Sequence, residues 1–229
     1  MKNTKIHTMN ISLTLPVDDV IVGDPSAETI LKGVLIRRGE ENTRGRDLRS
    51  DRQNEITRAA TEIGMRLPQA LSYRRQLIRK QNMKQNYRNA GPGGSDQGAG
   101  EYAREFEASV GKALIDLCPR LKEIMIPETN QNSQNTPDFL FTSPIQINGN
   151  PVNWIEVKTY YGCGSLTSRK LPIGKVPAQA ARYSDAHGPG AVLFGQGFHE
   201  SLANRLKQTN VICLDSTFMT MQKIEKKFP

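Results

Sequence analysis

Thr136-Pro137-Asp138-Phe139-Leu140 and, beyond a turn at Asn148-Gly149, Trp154-Ile155-Glu156-Val157-Lys158 are the stretches that decide how this chain is read. Both carry the apolar and aromatic content of strands, and Asn-Gly beside an alternating segment such as Ile145-Gln146-Ile147 signals a hairpin. Side chains two apart on a strand share a face. Glu156 and Lys158 therefore project together, with Trp154 and Tyr160 on the same side, while Ile155 and Val157 point the other way into a core. Asp138 lies on the partner strand, where pairing brings it within a few ångströms of Glu156.

Two adjacent carboxylates repel unless a cation lies between them. Magnesium suits such a pair, because it takes hard oxygen ligands, keeps waters and often uses one or two carboxylates plus a substrate phosphate; manganese is the alternative. The pattern makes Asp138 and Glu156 candidate ligands, with the Val157 carbonyl as a further one. Lys158 would orient the attacking water or help deprotonate it, and would stabilise charge on the phosphoryl group. One carboxylate is missing from this set, and the preceding helix offers Glu101, Glu105 and Glu107. The competing reading is a hairpin whose polar face merely meets water.

Upstream of the hairpin, Glu101 to Leu117 has helical periodicity, with Phe106, Val110, Ala113, Leu114 and Leu117 on one face and Pro119 as the stop. Ile124-Met125-Ile126 reads as a short strand and 128–135 as a polar loop. Downstream, 177–187 and 199–207 read as helices, and Ala191–Phe194 and Val211–Leu214 as strands. Gly188-Pro189-Gly190 reads as the turn between helix and strand, and the tail from Thr217 as a basic helix. The order α-β-β-β-α-β-α-β predicts an α/β fold, a mixed central sheet flanked by helices.

The N-terminal part reads differently. Ile11 to Leu15 alternates like a strand, Ala27 to Arg38 is a candidate helix, and Arg44-Gly45-Arg46-Asp47 a loop. Ile56, Ala59, Ala60 and Ile63 are spaced for a helix that Gly64 ends. A second helix opens at Pro68, with Leu71, Leu77 and Ile78 inward and Arg74, Arg75, Arg79 and Lys80 outward. The pair is a helix-turn-helix candidate whose basic face would contact phosphates; an ordinary helical hairpin packed on the main domain is the more economical reading. Residues 91–100 have the composition of a linker, and the sequence divides there: 1–50, a basic helical region 51–90, the linker, and a main domain 101–229.

The net charge is +8, and residues 31–90 hold fifteen Lys and Arg against six Asp and Glu. Such a concentration suits a polyanionic partner or a solvated basic arm. There is no run of eighteen apolar residues and no secretory-type N-terminus, so neither a membrane span nor export is expected. Cys118, Cys163 and Cys213 are widely spaced and read as reduced thiols in an intracellular protein. His7, His187 and His199 are not spaced as ligands.

Several blocks then carry a resemblance. Thr136-Pro137-Asp138-Phe139, Trp154-Ile155-Glu156-x-Lys158 and Gly162 are followed by Gln179-x-x-x-Tyr183 and Gly188-Pro189-Gly190-x-Val192. Gly197-Phe198 and Asn210-Val211 lie beyond them, and Glu105-x-Glu107 with Val110 and Leu114 upstream. Over residues 101–216 the chain resembles the PD-(D/E)xK nuclease superfamily, which includes restriction endonucleases. More narrowly it resembles the TPD-motif family, whose animal member is a codanin-interacting nuclease. The resemblance implies a restriction-endonuclease-like core and metal-dependent phosphodiester hydrolysis, on DNA more than RNA. Asp138 and Glu156 carry over as metal ligands, Lys158 as the catalytic lysine and Glu107 as the helix carboxylate, with Glu105 as second choice. Gln179 and Tyr183 match positions near the site in related nucleases. The resemblance also implies a codanin-like protein partner and a nuclear or cytoplasmic location. It leaves open a non-catalytic scaffold that binds nucleic acid and such a partner. Only residues 54–80 faintly resemble the family's longer helical N-terminus, and His187 stands where an aromatic is expected.

Overall fold

Asn148 and Gly149 both adopt positive φ, 50° and 75°, as a two-residue type I′ turn requires. They join β4 (Phe139–Ile147) to β5 (Asn150–Lys158) in an antiparallel ladder that runs from Ile147↔Asn150 to Phe139↔Ile155, with an irregularity between Leu140 and Ile145. The segments expected separately at 137–141 and 145–147 are thus one strand. The computed structural model describes residues 10–16, 20–21, 27–36, 48–86, 97–131, 136–166 and 171–219. The expected loop at Arg44–Asp47, residues 91–96 of the Gly-rich segment and the tail from 220 onward lie outside the described residues. A helical turn at 217–219 is the described start of that tail.

The hairpin is the centre of a mixed sheet. On one edge of β4 lie two short strands at different heights: β1 (Ser12–Leu13), parallel, and β3 (Met125–Pro127), antiparallel. On the other side of β5 follow β6 (Gly190–Phe194) and β8 (Val211–Asp215), both parallel. Parallel neighbours need crossover connections, and helices α6 (Pro172–His187) and α7 (Glu200–Lys207) supply them. A second, two-stranded pairing joins β2 (Val20–Ile21) to β7 (Phe198–His199). The remaining helices are α1 (Ala27–Leu35), α2 (Ser50–Glu62), α3 (Leu67–Asn86), α4 (Gln97–Leu117) and α5 (Leu121–Ile124). The main domain follows the expected order of elements, and the α/β architecture of a mixed sheet between helices is observed. Among the described residues no helix is long and apolar enough to cross a membrane.

Strand parity sorts the core into two halves. Ile155, Val157, Ala191 and Leu193 pack on one face with Val110, Ala113 and Leu114 of α4 and with Leu13 and Leu15. Trp154, Val192 and Phe194 pack on the other with α6, α7 and the N-terminal helices α1, α2 and α3. The packing therefore runs straight across the composition boundary at 91–100, whose last four residues are already helical in α4. Among the described residues, the N-terminal region has no core of its own apart from the main sheet.

Several expectations need correction. Leu117, expected inward, is 42% exposed at the end of α4. Helix α6 starts at Pro172 rather than 177. Proline is tolerated in a first helical turn, where its missing N–H is not needed. Trp154, on the Glu156 face of central strand β5, and Tyr161 just beyond it are fully buried. Gly190 is required by that burial: a Cβ there would stand 2.0 Å from the Trp154 ring. Arg74, expected outward on α3, is buried, and its Nε donates to the Leu35 carbonyl at 3.0 Å. Arg75 is exposed, while the side chains of Arg79 and Lys80 lie outside the described residues. The pair α2–α3 is a hairpin packed on the sheet, with Ser72, Tyr73 and Gln76 facing the molecule's interior.

Candidate active site

The Thr136-Pro137-Asp138 segment is a short arch laid over the start of β4 and tied at every residue. The Thr136 carbonyl accepts from the Tyr183 hydroxyl at 3.0 Å. The Pro137 carbonyl accepts from the Gln131 amide at 2.7 Å, and the Asp138 carbonyl from the Glu128 N–H at 3.0 Å. The Asp138 carboxylate accepts from the Val157 N–H at 2.5 Å. Extending the ladder one residue past Phe139↔Ile155 puts Asp138 opposite Glu156. The backbone N–H and C=O of one strand residue face the same neighbour, so the Val157 carbonyl also faces the side on which Asp138 sits.

Glu156 is 5% exposed. Its Oε1 accepts from Lys158 Nζ at 2.5 Å and from Gln179 Nε2 at 2.9 Å. Its Oε2 is buried and has no hydrogen-bond partner among the described residues. An unpaired buried carboxylate oxygen is costly unless something electropositive meets it. Gln179 also donates to the Tyr183 hydroxyl at 3.0 Å, and Tyr183 packs edge-on against Trp154 at 5.4 Å. One chain of contacts therefore links Trp154, Tyr183, Gln179 and Glu156 to the arch.

These groups surround a cleft of about 380 Å³, lined by Glu107, Asp138, Val157, Lys158 and Gln179 together with Ala103, Thr159, Tyr160, Pro172 and Lys175. Glu156 lies just behind the wall. Glu107 is half-buried on the cleft side of α4, whereas Glu105 is exposed, its backbone carbonyl accepting from the Ser109 hydroxyl. Of the two helix carboxylates, Glu107 is the one in the cleft. Burial pushes the Asp138 carboxyl well up from its ordinary range, and the Glu156 charge adds to this, while the Val157 N–H and Lys158 oppose it. Glu107 is raised by burial and by the charges of Glu128 and Glu156. Tyr183 is pushed up to about 12 by burial and the Glu156 charge. The cleft thus concentrates carboxylates that repel one another. Among the described residues no group of three or more His, Cys, Asp and Glu side chains forms a ready-made metal cage.

A family model described as a protein of unknown function with the TPD sequence motif matches residues 100–217. The chain belongs to the TPD family. No curated protein and no solved structure matches it. The TPD motif lies at Thr136-Pro137-Asp138, so the family's signature is the arch itself. The TPD region carries Glu107, Asp138, Lys158 and Gln179, which line the cleft, and Glu156 and Tyr183, which are bonded to Gln179 behind it, while Arg74 and Arg75 lie outside that region. Sequence reasoning missed Lys175, which precedes the expected helix, and Glu128, which looks like one more polar loop residue. A basic side chain one turn before Gln179 was the available signal for the first. His199 accepts the Ser201 N–H at 3.1 Å and caps α7, in keeping with a structural role.

Proposed function

We propose that this TPD-family chain is a metal-dependent phosphodiesterase that hydrolyses nucleic acid, DNA in preference to RNA. The observation that supports it most is the meeting of Glu107, Asp138 and Lys158 at one cleft, with Glu156 bonded to Lys158 just behind it and one buried Glu156 oxygen left unpaired. The donor set fits a hard divalent ion. Asp138, Glu156 and the Val157 carbonyl would hold Mg²⁺ or Mn²⁺, with the remaining positions filled by water and a phosphate oxygen, as is usual for magnesium. Two repelling carboxylates, one of them strongly shifted toward its neutral form, are what such an ion would relieve.

When bound, such an ion would supply the charge that polarises a phosphate and makes water a better nucleophile. The chain's own residues supply the rest. Lys158, held at 2.5 Å by Glu156, presents an ammonium to oxygens that gain negative charge as the P–O bond breaks. Glu107, whose carboxyl is raised by burial and by the charges of Glu128 and Glu156, is the cleft carboxylate placed to take the proton from the attacking water. Gln179 fixes the Glu156 carboxylate, and Tyr183 fixes the arch that carries Asp138.

The test is hydrolysis of single-stranded, duplex and branched DNA and of RNA with Mg²⁺ or Mn²⁺. Asp138→Ala and Lys158→Ala are each expected to lower kcat on the order of 100-fold or more. Equal residual activity in wild type and both variants would sink the catalytic reading. It would leave the alternative, a non-catalytic scaffold for nucleic acid and a codanin-like partner, which rests on the family resemblance alone.

A further inference from the structure

Helix α6 presents one exposed stripe that begins in the cleft and leads away from it. Lys175, Gln179 and Arg182 stand at i, i+4 and i+7, and residues so spaced share a helix face. The opposite face, Ile173, Val176, Ala180 and Tyr183, is buried. Lys175 and Gln179 line the catalytic cleft. The same two residues, with Ala178 and Arg182, line a second hollow of about 460 Å³. The two hollows share Lys175 and Gln179 and so adjoin along the helix. Gln179 is held by the bond to Glu156, and the basic side chains lie on either side of Gln179. Arg182 lies back along the helix, with Nη1 donating to the Ala178 carbonyl at 3.3 Å.

We propose that this stripe binds the sugar–phosphate backbone of a nucleic-acid strand, Lys175 and Arg182 contacting phosphates beside the one that reaches Asp138 and Lys158. Seven helical residues span about 10 Å. Each strand of a duplex carries a charge about every 3.4 Å along the helix axis, so about three phosphates pass over this length. The carboxylate-rich cleft would repel a polyanion without flanking cations, and α6 places cations on the rim where they are needed. The burial of Arg74 and Arg52 makes the same point from the other side, because part of the basic N-terminal segment is spent on internal contacts. The proposal rests on the nuclease reading for the position of the scissile phosphate; the backbone contact itself does not require cleavage.

The experiment separates the two. Binding of a fluorescein-labelled single-stranded oligonucleotide is measured as a function of salt in the Asp138→Asn background, without divalent ion. Arg205→Gln/Lys207→Gln on the exposed face of α7 serves as the charge-matched control. Lys175→Gln/Arg182→Gln is expected to weaken binding on the order of ten-fold near 0.1 M salt and to lower the slope of log K against log salt by about 1.4, with the control unchanged. In cleavage assays on the otherwise wild-type chain, the same pair should raise KM more than it lowers kcat. Unchanged binding and slope, or equal losses in the control, would overturn the proposal while leaving the nuclease reading intact. Loss of binding in the α6 variant alone, in a chain whose wild type cleaves nothing, would support the backbone contact and sink the nuclease reading.

Discussion

At the scale of single residues, the carboxylates set the behaviour of the site. In the folded chain Asp138 holds its proton to higher pH than in the unfolded chain, because burial and the Glu156 charge disfavour its ionised form. Between the ordinary value of 3.8 and the raised one, the native state binds more protons than the unfolded state. Stability from this group is therefore present at low pH and lost as pH rises through that window. Glu107 acts in the same direction. Metal-free protein should accordingly melt at a lower temperature near pH 8 than near pH 5. Asp138→Asn should flatten that slope, and added Mg²⁺ or Mn²⁺ should raise Tm most at the alkaline end; a calorimetric pH series checks all three. Gln179→Ala removes one of the two donors to Glu156 Oε1. It should lower kcat by roughly ten-fold and lower Tm by several degrees, since a hydrogen bond to a charged group contributes about 1.5–3 kcal/mol of stability. That Glu156 and Lys158 are neighbours is legible in the sequence, because strand parity is local. The unpaired Glu156 oxygen is not, because it depends on what distant segments bring around it.

At the scale of elements, α6 and β5 hold the site between them. Tyr183 donates to the Thr136 carbonyl and packs edge-on against Trp154, so Tyr183→Phe should cost about 1 kcal/mol in denaturant unfolding and lower activity through the loosened arch. The β5–β6 ladder needs the flat surface of Gly190 for the Trp154 ring, whose Nε1 donates to the Gly188 carbonyl at 2.8 Å. Gly190→Ala should destabilise by about 1–3 kcal/mol through overpacking, read from urea midpoints. Most element types are legible, since 3.6- and 2-residue periodicities survive wherever a single face is buried. The ends are less so. Helix α6 begins five residues earlier than expected: Pro172 opens its first turn, which accepts proline, and Pro177 lies inside the helix. Helix α3 misleads more seriously. Gln69, Ser72, Arg74 and Gln76 are buried beside Ala70, Tyr73 and Leu77, so its inward face mixes polar with apolar residues and its hydrophobic pattern is weak.

At the scale of the whole molecule, those buried polar residues of α3 explain how the N-terminal layer serves the site. The Gln76 amide donates to the Tyr161 carbonyl at 2.8 Å, and the Ser72 hydroxyl accepts the Tyr161 N–H at 2.9 Å. Glu28, at the start of α1, accepts from the N–H groups of Gly164 and Ser165 and from the Tyr161 hydroxyl. The segment that leaves β5 is thus held by helices outside the region that the family model covers. A chain shortened to residues 97–229 would expose one half of the core and leave these groups unpaired. It should be insoluble or lack a near-UV circular dichroism signal, and a soluble truncated chain with full activity would refute this. By itself the sequence determined the order of elements, the hairpin, the two faces of β5 and the placement of Glu156 and Lys158 on one strand, with Asp138 next to the start of its partner. These follow from short-range stereochemistry, which any stretch of a few residues carries. Only the tertiary structure decided that Glu107 rather than Glu105 faces the cleft, that Arg74 is an internal strut, and that the described residues before and after the Gly-rich segment share one core. Each of those depends on partners tens of residues away, such as the Leu35 carbonyl for Arg74 and Tyr161 for Gln76. Burial and hydrogen bonding to so distant a partner leave no periodic trace in the chain.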